Sequence, residues 1–206
     1  MTRFIAVAGG IGAGKSSLSS FLERHFGLLP FYEGNDDNPF LQDFYGDMGR
    51  FAFPSQVWFL TRKYRAHLEI GSLDRAAVLD RTIYEDAEIF APFLYRNNWM
   101  SDREYETYVA LYETINRTLP PPDLLIYLRT TVRTQKKRIA LRGRAMERRI
   151  DTPYLQRINR LYRQWIGRWD RSPVLTLDAD RLDFIADLVD QADLLSTIRG
   201  HLPGGR

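Results

Sequence analysis

Residues 4–8 (Phe-Ile-Ala-Val-Ala) run directly into Gly9-Gly10-Ile11-Gly12-Ala13-Gly14-Lys15-Ser16, and Ser17-Leu18-Ser19-Ser20-Phe21-Leu22 follow. A buried strand, a glycine-rich turn and a helix in that order leave the chain few folds to adopt. The spacing G-x-x-x-x-G-K-S is that of the phosphate-binding loop. Its glycines let backbone N–H groups turn inward around a phosphate, and the helix N-terminus behind them adds partial positive charge. Gly9, Gly10, Ile11, Gly12, Ala13, Gly14, Lys15, Ser16 and Ser17 are therefore expected to hold a nucleoside triphosphate. Lys15 would reach its β- and γ-phosphates, and the Ser16 hydroxyl would ligate Mg²⁺.

Further apolar runs of strand length occur at 28–32, 76–80, 124–128 and 174–178. They are continuous, not alternating, which predicts strands buried on both faces of a parallel sheet. Between them lie segments of helical period at about 15–26, 53–70, 83–97, 102–118, 131–141, 152–169 and 183–199. The expectation is an α/β fold with a five-stranded parallel sheet and right-handed crossovers. At 206 residues, with no repeats or linker, the chain reads as one domain spanning 1–206. Cysteine is absent, the first strand begins within three residues of the start, and no apolar run could span a membrane. A cytoplasmic protein is expected.

Charge narrows the partners. Residues 133–149 carry eight Lys/Arg against the single acid Glu147, a local +7 in a chain of net +3. Such concentration suits a polyphosphate, whereas nucleic acid would call for a basic face. Neither nucleic acid nor membrane is expected as a partner.

In sheets of this kind ligands bind beyond the carboxyl ends of the strands. Three groups fall there. Glu33 ends the second apolar run and could act as general base toward an attacking hydroxyl, or be a solvated loop acid. Asp80 and Arg81 close the third; Asp80 would sit near the Mg²⁺, and Arg81 could hold Glu33 or a transferred phosphoryl oxygen. Arg138, Arg142 and Arg144 surround Gly143 at a helix end and could close over a triphosphate, where phosphoryl transfer needs positive charge. Gln56, an amide within the aromatic stretch 51–60, suits a nucleobase edge or a plain surface position. Tyr45 alone reads more readily as core.

Together these residues resemble the deoxyribonucleoside kinase family over nearly the whole chain, most nearly its bacterial deoxyadenosine and deoxyguanosine kinases. Glu33 matches the family's general base for the sugar 5′-hydroxyl, and Asp80-Arg81-Thr82 matches its acid-Arg-Ser/Thr signature. Arg138 through Glu147 matches its lid, expected over about 138–150. The resemblance implies that Arg138, Arg142 and Arg144 contact phosphates, that Glu147 and Tyr45 hold the 3′-hydroxyl, and that Gln56 bonds the base. Asp86 aligns with the acid of members that take purines or deoxycytidine; its basic partner is Arg62 or Lys63. Gly34 stands where many members have proline, and Met146 replaces the first of two lid glutamates. The implied reaction is ATP-dependent phosphorylation of a deoxyribonucleoside in nucleotide salvage, with Lys15, Glu33 and Arg81 catalytic. Deoxyadenosine is the first choice, deoxyguanosine and deoxycytidine the alternatives. Rival readings are a nucleoside monophosphate kinase, disfavoured by the acidic loop Glu33, Asp36, Asp37, a ribonucleoside kinase, and a non-catalytic nucleotide switch. A homodimer is also implied, and Phe90, Phe93, Tyr105, Tyr108 and Tyr112 suit either its interface or the core.

Overall fold

The computed structural model describes residues 4–34, 37–144, 147, 150–181 and 187–201. The expected Asp36, Met146, Arg148 and Arg149 lie outside the described residues. Five strands, β1 (Phe4–Ala8), β2 (Leu29–Phe31), β3 (Ala77–Asp80), β4 (Leu124–Arg129) and β5 (Val174–Asp178), form one parallel sheet in the order β2-β3-β1-β4-β5. Parallel neighbours need crossovers, and helices supply them on both faces.

The pleat of β1 divides the core. Phe4, Ala6 and Ala8 face one hydrophobic cluster, while Ile5 and Val7 face the other. Within β4, Leu125 and Tyr127 go to the first and Leu124, Ile126 and Leu128 to the second. The three inner strands are buried on both sides, as continuous apolar runs require, but the edge strands β2 and β5 are only partly buried. Pro30 fits because an edge strand has one row of unpaired N–H groups, so a missing donor costs nothing there.

The helices are α1 (Lys15–Phe26), α2 (Leu41–Gly46), α3 (Met48–Ser72), α4 (Ile83–Glu85), α5 (Ala91–Arg96), α6 (Asp102–Asn116), α7 (Val132–Arg142), α8 (Thr152–Ile166) and α9 (Leu188–His201). Three departures from the sequence reading stand out. Short α2 was not anticipated. Helix α3 starts before Pro54, because Asp47 caps it by accepting from the Arg50 N–H. The helix expected over 83–97 is broken by a π-helical turn at Asp86–Phe90. Such turns recur at functional sites, and this one begins at Asp86. Among the described residues no helix is long and apolar enough to cross a membrane.

Of the five aromatics that suited an interface or the core, Phe90, Phe93 and Tyr108 are core. Tyr105 stacks on Tyr95, and the Tyr112 hydroxyl donates to Glu88.

Candidate active site

The glycine loop leaves β1 and enters α1 through Gly14, whose φ is 100°. No side chain caps α1 and no acid occupies its first turn, so its amides remain available to an anion. Gly12 is fixed by space as well as by its φ of 75°, since a Cβ there would lie 2.8 Å from the Gln135 carbonyl oxygen of α7. Buried Gln135 exchanges two 3.0 Å hydrogen bonds with Asn159 of α8, and Asn159 also donates to the Thr130 carbonyl. This amide pair braces the floor under the loop, and sequence reading did not single it out.

Lys15 is buried, donates to the Gly10 carbonyl at 3.4 Å and lies 4.0 Å from Asp80 Oδ1. Burial, with the charge of Arg81 adding, lowers its pKa. The Ser16 hydroxyl donates to Asp80 Oδ2 at 2.7 Å. Burial raises the Asp80 pKa against the opposing charge of Lys15. Asp80 Oδ1 is buried and accepts no hydrogen bond from the described residues. A serine hydroxyl beside an underused carboxylate oxygen fits a small hard cation such as Mg²⁺.

Opposite the loop, one cavity is lined by Lys15, Glu33, Tyr45, Gln56, Arg81, Asp86, Arg142 and Glu147, together with Phe44, Phe59, Phe90 and Tyr154. Residues expected to serve base, sugar and phosphate thus share one space. Glu33 Oε1 lies 2.6 Å from Arg81 Nη1 and 3.7 Å from Lys63 Nζ. Arg81 adopts a left-handed φ of 66°, which costs a side-chain-bearing residue roughly 1–3 kcal/mol. Its N–H donates to the Val7 carbonyl, and its guanidinium rests 4.6 Å over the Phe90 ring.

The partner of Asp86 is Lys63, with Nζ 2.5 Å from Oδ2 and both side chains buried. Arg62 points elsewhere and pairs with Asp37 at the surface. Burial raises the Asp86 pKa, with Lys63 the chief opposing charge. Gln56 is buried, and its Oε1 has no hydrogen-bond partner among the described residues, which leaves an acceptor for a ligand. Burial also raises the phenols of Tyr45, well above the ordinary value, and Tyr154, to about 12. Both are neutral donors at pH 7.

The arginines differ from one another. Arg138 donates to the carbonyls of Ala13 at 2.7 Å and Ala179 at 2.8 Å. These two bonds brace the glycine loop against the end of β5. Arg142 pairs with Glu147 through bonds of 2.7 and 3.1 Å, and Arg144 Nη1 lies 3.8 Å from the same carboxylate. Sequence reading gave Arg142 and Glu147 to different parts of the ligands, whereas the structure pairs them directly. Buried Glu85 was passed over altogether. Its signal was present: Thr82-x-x-Glu85 has the capping-box spacing, and the box forms.

Comparison with known proteins identifies the family. The deoxynucleoside kinase family profile matches residues 5–203. The chain is 38% identical to a deoxyguanosine kinase of Lactobacillus johnsonii, over 96% of this chain and 92% of the relative. It is 36% identical to a deoxyadenosine/deoxycytidine kinase of Bacillus subtilis, over 89% and 85%. Among solved structures, a deoxyadenosine kinase from M. mycoides with the products dCMP and dCDP superposes with a TM-score of 0.82 at 29% identity, covering 97% of this chain and all of that one. The same kinase with dATP bound gives 0.82 over 96%. On these grounds the chain belongs to the deoxynucleoside kinase family.

Proposed function

We propose that this kinase transfers the γ-phosphoryl group of ATP to the 5′-hydroxyl of a purine deoxyribonucleoside, with deoxyadenosine favoured, as a step of nucleotide salvage in the cytoplasm. The observation that carries this reading is the juxtaposition of Glu33 with Arg81 at 2.6 Å in the cavity that Lys15 also lines. A buried carboxylate beside a guanidinium and opposite a phosphate loop supports a general-base role for Glu33.

The loop amides, the α1 N-terminus and Lys15 hold the triphosphate. Ser16 and Asp80 would hold Mg²⁺, which when bound neutralises charge on the phosphates. Glu33 accepts the proton of the 5′-hydroxyl as its oxygen bonds to the γ-phosphorus. The bond from that phosphorus to the bridging oxygen breaks, and ADP departs with the electron pair. Lys15 and Arg81 meet the charge that develops on the phosphoryl oxygens. Tyr45 and Glu147 would take the 3′-hydroxyl. Arg142 and Arg144 would turn to phosphate as Glu147 does so, because the sugar competes for the carboxylate they now share. Residues 138–150 would then act as a lid that excludes water.

For the base, Gln56 offers an amide and Asp86 an acceptor. Adenine presents an amino group where guanine presents an oxygen, which favours deoxyadenosine. The relatives are named for deoxyguanosine, deoxyadenosine and deoxycytidine, so deoxyguanosine and deoxycytidine are the alternatives that an assay must separate. A homodimer completes the reading; a light-scattering mass near the 24.1 kDa of a single chain would refute it.

Glu33→Gln keeps the shape and removes the base. Nucleoside affinity should stay within a few-fold while kcat falls about 10²–10⁴-fold. A near-normal kcat in an ADP-release assay would take Glu33 out of the mechanism.

A further inference from the structure

Glu85 is fully buried, and its two carboxylate oxygens accept four hydrogen bonds. Oε2 takes the Thr82 N–H at 2.7 Å and the Thr82 hydroxyl at 3.2 Å. Oε1 takes the Tyr162 hydroxyl at 2.8 Å and the Gly9 N–H at 3.3 Å. Arg81 Nε lies 4.0 Å from Oε1. The two oxygens thus serve different parts of the molecule. One fixes the turn that follows Arg81; the other reaches the first residue of the glycine loop and the helix that follows the lid segment.

Helix capping alone does not explain this arrangement. Ser101 and Glu104 form a capping box of the same kind at the start of α6, and that box is exposed to solvent. A carboxylate kept entirely from water is costly unless each of its lone pairs is used. At Glu85 they are used, and two of the four bonds come from partners 76 and 77 residues away. The Thr82 N–H belongs to the peptide immediately after Arg81, whose left-handed φ of 66° must be held against its intrinsic cost. Gly9 stands where the donor loop leaves β1. Glu85 therefore joins the backbone that aims Arg81 to the backbone that cradles the donor.

On the phosphotransferase reading above, we propose that Glu85 is a positioning residue that locks Arg81 and the glycine loop into one rigid unit, with Tyr162 tying α8 to it. It touches neither substrate and acts through Arg81 and Gly9. In this role it sets the register between the phosphoryl donor and the guanidinium that meets the transferred group, where a displacement of about 1 Å can cost about 10²-fold in rate.

The test is a double-variant cycle on the full chain, with kcat normalised to folded protein. Glu85→Gln keeps the volume but replaces one acceptor oxygen with a donor; kcat should fall about 10–100-fold and KM for ATP should rise. Arg81→Lys should lower kcat by itself. If Glu85 acts through Arg81, the two losses do not multiply, and the double variant stays within about threefold of the slower single one. Should Glu85→Gln fail to fold, Tyr162→Phe removes one donor while keeping the ring. It should lower kcat about 3–10-fold, again without multiplying the Arg81→Lys loss. Full multiplication of the losses, or a kcat unchanged in both variants, would overturn the inference. Wild-type protein inactive on every deoxynucleoside would instead overturn the phosphotransferase reading, so the two failures are distinct.

Discussion

Lys63 is the cation on which the base end of the cavity depends. Its ammonium lies 2.5 Å from Asp86 and 3.7 Å from Glu33, and only 3% of its side chain is exposed. Lys63→Met keeps much of the volume and deletes the charge. Breaking a buried pair by removing one partner costs about 3–5 kcal/mol. For a chain of this size each kcal/mol moves Tm by about 2–4 °C, so a fall of about 6–20 °C is expected. The loss should depend on pH. Burial already raises the Asp86 pKa and Lys63 is the chief charge opposing it, so without Lys63 it rises further. The folded variant then binds a proton that the unfolded chain has released. Its stability falls as pH rises from the carboxylate range through the raised folded value. Thermal melts followed by circular dichroism should show a deficit that widens as pH rises from the carboxylate range. Lys63→Met/Asp86→Leu removes both charges and should recover most of the loss, because Glu33 keeps Arg81. A single variant as stable as wild type across that range, or a double variant less stable than the single one, would refute the reasoning.

Two further outcomes follow from buried geometry. His67 is 3% exposed, and neither ring nitrogen has a hydrogen-bond partner among the described residues. Burial, with Lys63 adding, lowers its pKa from 6.5 to about 4. The ring is neutral in the fold and protonates more readily when unfolded. The gap is worth about 3 kcal/mol, present above pH 6.5 and lost as pH falls toward 4. Denaturant titrations of wild type and His67→Phe across that window should show the wild type losing more, and equal slopes would contradict the assignment. Gly12→Ala would place a Cβ 2.8 Å from a backbone carbonyl at a positive φ. KM for ATP should rise at least tenfold while thermal stability falls by only about 1–3 kcal/mol; an unchanged KM would mean that the loop does not need this close approach.

The parts of the site legible in the sequence were those fixed by spacing along the chain. The glycine loop, the acid ending β2 and the Asp80-Arg81 pair each follow a strand, and a parallel sheet collects such positions at one edge. The boundaries of α1 and β5 were read to the residue for the same local reasons: Gly14 and Gly27 bracket the helix, and turn residues bracket the strand. What could not be read depends on contacts between distant elements. Lys63 and Arg62 are adjacent, and only the direction α3 faces puts one against Asp86 and the other in solvent. Nothing in the segment around Arg138 reveals that it bonds the carbonyls of Ala13 and Ala179. The π turn at 86–90 has a sequence that suits an ordinary helix. Glu85 was legible as a cap, but not as the point where a loop, a strained arginine and α8 converge.

The most direct measurement is ADP release from ATP by the wild-type chain with deoxyadenosine, deoxyguanosine, deoxycytidine, thymidine and adenosine, each at the same concentration. Release should depend on the acceptor, be greatest with deoxyadenosine and yield the 5′-monophosphate. Activity confined to thymidine would contradict the role given to Asp86, and ADP release indifferent to every acceptor would contradict phosphoryl transfer to a nucleoside.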